Sequence, residues 1–165
     1  MASGNSLSGF SPLSNEPPAT NYATVDTRNS VAVLDFDDTT EEGAVFRGVL
    51  PRHYTNGGLT LALHWMATSA TSGNCKWGAS IERDNANNHD LDADAFATEQ
   101  VSSADAANAA SGKVTTSVIT ISNGANMDNL ADGDPFRLRI RRKAADGTDT
   151  MSGDAELLAI EIRET

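Results

Sequence analysis

Apolar and polar side chains alternate through much of this chain, most strictly near its C-terminus. In residues 136–142 (FRLRIRR), Phe136, Leu138 and Ile140 fall on one parity and Arg137, Arg139 and Arg141 on the other. In residues 155–165 (AELLAIEIRET), Leu158, Ile160 and Ile162 alternate with Ala159, Glu161 and Arg163. Period two is the pattern of a half-buried strand, because successive side chains leave opposite faces of the pleat. Asp146-Gly147 and Ser152-Gly153 supply turn chemistry between the two runs. If the runs pair with each other, the arginine face of the first meets Glu156, Glu161 and Glu164 of the second.

The same pattern recurs upstream. Residues 31–36 (VAVLDF) and 44–50 (AVFRGVL) flank an acidic turn. Leu59, Leu61, Leu63 and Trp65 alternate with Thr60, Ala62, His64 and Met66 after Asn56-Gly57-Gly58. In residues 75–82, Trp77, Ala79 and Ile81 share a face opposite Lys76, Ser80 and Glu82. Residues 113–122 (KVTTSVITIS) are rich in β-branched side chains, which favour strands. Between 84 and 112 the chain is most polar, with a short helix over 92–100 competing with a strand over 99–103, and 126–130 fits a single helical turn. Seven or eight short strands at regular spacing predict an all-β, antiparallel, jelly-roll-like β-sandwich over residues 30–165. Residues 1–29 differ: Ser, Asn, Thr, Gly and Pro dominate, and Leu7, Phe10, Leu13, Tyr22 and Val25 have no period. They predict an extended polar N-terminal arm, ordered only against a neighbour, since such a stretch buries too little to offset its ordering entropy.

Composition narrows the function classes. With 39% hydrophobic and 21% charged residues, the chain is globular in character rather than disordered throughout. A net charge of −11 argues against nucleic acid and anionic membrane as partners, and favours docking on a basic protein surface. One cysteine, Cys75, allows no intrachain disulfide and fits synthesis in a reducing cytoplasm. No run of ~18 apolar residues predicts a spanning helix, and no basic-then-apolar leader predicts secretion.

No catalytic, cofactor or metal constellation emerges from spacing. Asp90, Asp92 and Asp94 imitate the opening of a calcium loop, yet Ala95 and Val101 stand where its glycine and bidentate glutamate belong. His53, His64 and His89 have neither the spacing nor the cysteines of a zinc site. No serine sits in a G-x-S-x-G elbow, and Cys75, entering a strand, reads as a buried thiol. The parity of Trp65 and Trp77 puts both in the core rather than on a sugar-stacking platform. His64, Met66 and Tyr54 form a thin exposed alternative.

Three stretches together carry a resemblance: VAVLDFDDTTEEGAVFRGVLPRHY, GGLTLALHWMATSATSGNCKWGASIERD and MDNLADGDPFRLRIRRKAADGTDTMSGDAELLAIEIRE. This set resembles small β-sandwich structural proteins of tailed bacteriophages, the capsid decoration (cement) proteins and domains of tail or fibre proteins. The likeness covers roughly residues 30–164 and transfers no active site. It implies a non-enzymatic virion protein on the capsid surface, with the major capsid protein and further copies of itself as partners, most simply as a homotrimer, alternatively a homodimer. Leu7, Phe10, Leu13 and Tyr22 are then the arm's anchors on the shell, and Arg137, Arg139 and Arg141 an intersubunit face. The alternatives are a tail, neck or fibre component, or a carbohydrate-binding module for a host surface glycan.

Overall fold

A computed structural model describes residues 4–87 and 89–165. Ten strands form among the described residues: β1 (Ser6–Phe10), β2 (Thr24–Arg28), β3 (Val31–Phe36), β4 (Gly43–Val49), β5 (Leu59–Ala67), β6 (Asn74–Arg83), β7 (Gln100–Ala106), β8 (Thr115–Ile121), β9 (Pro135–Arg142) and β10 (Ala155–Glu164). One sheet runs β2-β3-β10-β5-β8, with β1 also on β10; the other runs β4-β9-β6-β7. Every ladder is antiparallel. Counting from β3, the eight strands lie in the orders 1-8-3-6 and 2-7-4-5, the two nested Greek keys of a jelly roll. The expected fold class holds.

Alternation builds the core. Leu59, Leu61, Leu63 and Trp65 of β5 and Ile119 and Ile121 of β8 face Trp77, Ala79 and Ile81 of β6 and Phe136, Leu138 and Ile140 of β9, all buried. Both tryptophans are fully buried, their rings 6.1 Å apart, with Phe36 edge-on to Trp77 at 5.0 Å. Trp65 Nε1 donates to Ser117 Oγ at 2.9 Å, so the indole's polar edge is satisfied inside. Met66 and Tyr54, placed by parity at the surface, are buried as well.

Four expectations change. First, β9 and β10 are not neighbours: they belong to opposite sheets, and residues 143–154 carry the chain across the sandwich. Second, a bulge between Leu157 and Ala159 resets the parity of β10, so Leu157, Ile160 and Ile162 point inward while Leu158 does not. Third, no helix forms over 92–100; turns and extended backbone lead into β7, and the single turn near 126–130 is a 3-10 turn at Ala125–Met127.

The fourth concerns residues 1–29, which are not a separate arm where they are described. β1 pairs with β10 beside β3, burying Leu7 and stacking Phe10 on Phe46 at 5.4 Å, edge-on to Phe136 at 6.3 Å. The chain then covers the β4 edge. Val45 N donates to Asn15 Oδ1 (3.0 Å), Glu16 N to Val45 O (2.7 Å), Ala23 N to Gly43 O (2.9 Å) and Gly43 N to Asn21 O (2.8 Å). An unpaired sheet edge is a template for unwanted pairing, and this strap closes it. Leu7 and Phe10 are therefore anchors on the chain's own core. Leu13 and Tyr22 remain 73% and 52% exposed.

Candidate functional site

The outer face of the four-stranded sheet is where charge concentrates. Arg137, Arg139 and Arg141 project from β9 as the alternation predicts. The β6–β7 loop folds back over them and seats Phe96 under two guanidiniums, 5.0 Å from Arg137 and 4.6 Å from Arg139. Arg137 hydrogen-bonds Glu82 of β6, Arg139 Nε donates to Ser80 Oγ (3.1 Å), and Arg141 Nε donates to Glu99 Oε2 (2.7 Å). Lys143 bridges Glu99 (2.9 Å) and Glu41 (3.0 Å). Burial alone would raise the Glu99 carboxyl, but hydrogen bonds from Arg141 and Lys143 hold it below its ordinary value. Their glutamate partners come from β6 and two loops, not from β10. Within its own chain the arginine row is thus partnered by Glu82, Ser80, Glu99 and Phe96.

One arginine escaped the sequence reading. Arg142 shares the inward parity of Phe136, Leu138 and Ile140, and it is fully buried at the end of β9. Nε and Nη2 grip the Asp149 carboxylate at 3.2 and 2.8 Å. Nη2 also donates to Met151 O (2.7 Å), and Nη1 to Phe36 O (3.2 Å) and Gly153 O (2.8 Å). All five N–H groups have acceptors, the condition under which a charge tolerates an interior. This guanidinium pins the 143–154 crossover to the end of β3. The signal was present: a charged residue on an apolar parity.

A cleft of about 320 Å³ opens beside the arginine row, lined by Arg83, Asn85, His89, Asp94, Ala95, Asp128 and Asn129. Arg83 ends β6, and its Nε meets Asp134 Oδ2 at 2.6 Å. Its backbone N–H donates to Asp128 Oδ2 at 2.8 Å, tying the strand end to the Asp128-Asn129 turn. Both turn residues have φ of 53°, in the left-handed region that asparagine and aspartate tolerate best. The His89 side chain is 4% exposed. Its Nδ1 lies 3.2 Å from Asp94 Oδ2, and its Nε2 lies 3.6 Å from Glu82 Oε1 and 3.9 Å from Asp84 Oδ1. None of these approaches has hydrogen-bond geometry: both ring nitrogens, Glu82 Oε1 and Asn85 Oδ1 are buried without a partner. Local spacing does not reveal this group, whose members Arg83 and Asp128 lie 45 residues apart.

Other candidates take structural places. Asp37, Asp38 and Asp154 bring carboxylate oxygens within 4.8 Å of one another. Asp37 Oδ1 accepts from Thr39 N, Thr39 Oγ1 and Thr40 N, and Asp38 accepts from Gly153 N, so these carboxylates brace the 37–42 turn against the crossover. Asp90 and Asp94 likewise bond their own loop, through Asp92 N and Asp90 N. Asp35 stands directly opposite Glu156 on β10, and burial followed by that neighbour raises its carboxyl to about 6. Cys75 is fully buried, which pushes its thiol far above the ordinary range and leaves it unreactive at neutral pH. His64 keeps its outward position, with Nδ1 3.1 Å from Thr116 Oγ1.

No family model and no curated protein matches this chain. Among solved structures it is similar to the xylan-binding module CBM15, at TM-score 0.47 and 15% identity, over 100% of this chain and 94% of that one. It is also similar to the CBM22-1 xylan-binding domain of Paenibacillus barcinonensis Xyn10C, at TM-score 0.39 and 14% identity, over 99% and 97% of the two chains. A cycloisomaltooligosaccharide glucanotransferase of Paenibacillus sp. matches at TM-score 0.49 and 11% identity over 97% of this chain, which spans only 19% of that enzyme.

Proposed function

We propose that this chain is a non-enzymatic structural subunit of a phage particle, a decoration protein that docks on the assembled major capsid protein shell. The observation that carries the reading is the margin formed by β2 and the strap. β2 ends its sheet, pairs with β3 alone, and exposes Thr24 through Thr27. Leu13 (73% exposed), Tyr22 (52%) and Val25 (51%) add outward apolar side chains along the same margin of a strongly acidic molecule. An open strand edge with apolar flanks suits strand addition or close packing in a larger assembly. Self-association through this margin gives the symmetric homo-oligomer, a trimer at shell three-fold positions or else a dimer. A subunit that binds only the assembled shell stabilises it by mass action.

The test is co-sedimentation with assembled, expanded shells and with unassembled capsid subunits. Binding to shells alone, lost in a Leu13→Asp/Tyr22→Asp variant of unchanged melting temperature, is the expected result. Binding unaffected by that variant defeats the proposal. Location in a tail or neck would show as binding to those parts and not to shells. A carbohydrate-binding module would have to work without its tryptophans, since Trp65 and Trp77 are sealed in the core.

A further inference from the structure

We infer that the cleft at His89 receives a cationic hydrogen-bond donor, the guanidinium or ammonium group of a basic partner side chain. Buried polar atoms are normally paired, and here several unpaired ones converge. Glu82 Oε1 and Asn85 Oδ1 are acceptors without a donor, and both ring nitrogens of the buried His89 lack a hydrogen-bond partner beside them. The two oxygens lack a donor; Arg83 Nε and Arg137 Nε are also buried without a hydrogen-bond partner, though each guanidinium is ion-paired, with Asp134 and Glu82. The charge agrees: the carboxylates of Glu82, Asp84, Asp94 and Asp128 gather around the cleft against Arg83 and Arg137. Both of those cations are engaged, Arg83 by Asp134 and Arg137 by the other Glu82 oxygen, while Arg47 reaches Asp84 at 3.5 Å from the solvent side. An anion is repelled from such a site.

Shape and rim agree as well. A volume of about 320 Å³ lies at the small end of ligand sites and suits one side-chain head group. The loop between His89 and Asp94 carries Asp90 and Asp92, which extend the attraction outward, and Leu91, 60% exposed, which offers apolar contact to an aliphatic stem. The inference deepens the docking role by naming the surface and rests on that role only for the occupant's identity.

The experiment titrates the full chain with a tri-arginine peptide, agmatine, a tri-citrulline peptide, a neutral oligosaccharide and calcium, following the His89 ring resonances by NMR. Saturable shifts with the two guanidinium ligands, at least tenfold weaker with citrulline, are expected. Asp94→Asn should weaken them several-fold at an unchanged melting temperature, Asp94 being 43% exposed. Tighter binding of the peptide than of agmatine marks a partner's side chain as the source; equal binding marks a free small cation, with the same chemistry upheld. Equal affinity for citrulline or sugar, saturation by calcium at the same resonances, or no saturable shift overturns the inference. If the peptide binds but shells do not, the docking role fails and the cleft stands.

Discussion

Arg142→Ala should be among the most damaging single changes in this chain. The side chain is fully buried, and its removal strands the Asp149 carboxylate, itself 1% exposed, with the carbonyls of Phe36, Met151 and Gly153. Breaking one side of a buried pair costs about 3–5 kcal/mol, because the surviving charge keeps its desolvation penalty and loses its partner. Against a typical total of about 5–15 kcal/mol, that is about a fifth of the stability or more. For a domain of this size it lowers Tm by about 6–20 °C. Urea unfolding followed by tryptophan fluorescence measures it directly, since Trp65 and Trp77 are core reporters. Arg142→Lys should recover only part, because one ammonium cannot serve a bidentate carboxylate and three carbonyls at once. Arg142→Met/Asp149→Leu should cost less than the sum of its two single changes, since no orphaned charge remains. A loss under ~1 kcal/mol for Arg142→Ala, or strict additivity in that cycle, would refute the clamp.

Two further outcomes follow from the geometry. Asp35 titrates near 6 in the folded chain and near its ordinary 3.8 when unfolded, so from about pH 4 to 6 the folded state holds a proton that the unfolded state has released. Stability therefore falls as pH rises through that window, and Asp35→Asn should raise it by about 1–2 kcal/mol at pH 7 after allowing for partial exposure. Melting curves from pH 4 to 8 check this, and an Asn variant no more stable at pH 7 contradicts it. Deleting residues 1–23 should lower Tm markedly and promote aggregation, because it uncovers the β4 edge and half of one side of β10. A truncated chain that melts like the full one would show the strap to be dispensable.

Period two made the strands legible, and parity placed Trp65, Trp77 and the β9 core residues correctly. Parity assigns a face but not a neighbour, which is why β9 and β10 looked like partners when they sit in opposite sheets. A bulge erases the pattern locally: the register shift at Leu157/Ala159 moved Leu158 out of the core. A second shift, between Ser6 and Ser8, left Leu7 and Phe10 without a period although both pack on the core. The cleft was invisible for a different reason. Glu82, His89, Asp94 and Asp128 form no local motif, and only the jelly-roll topology brings the turn at 128–129 against the end of β6.

The place of β10 governs when this molecule can fold. It follows the nine other strands in chain order, yet it joins β5 on one side to β1 and β3 on the other, so the six-stranded sheet has no middle until residues 155–164 leave the ribosome. β1 must wait for it unpaired, and the β2–β3 and β5–β8 pairs stay apart until it arrives. Distant pairings of this kind slow folding and prolong the exposure of sticky edges during synthesis.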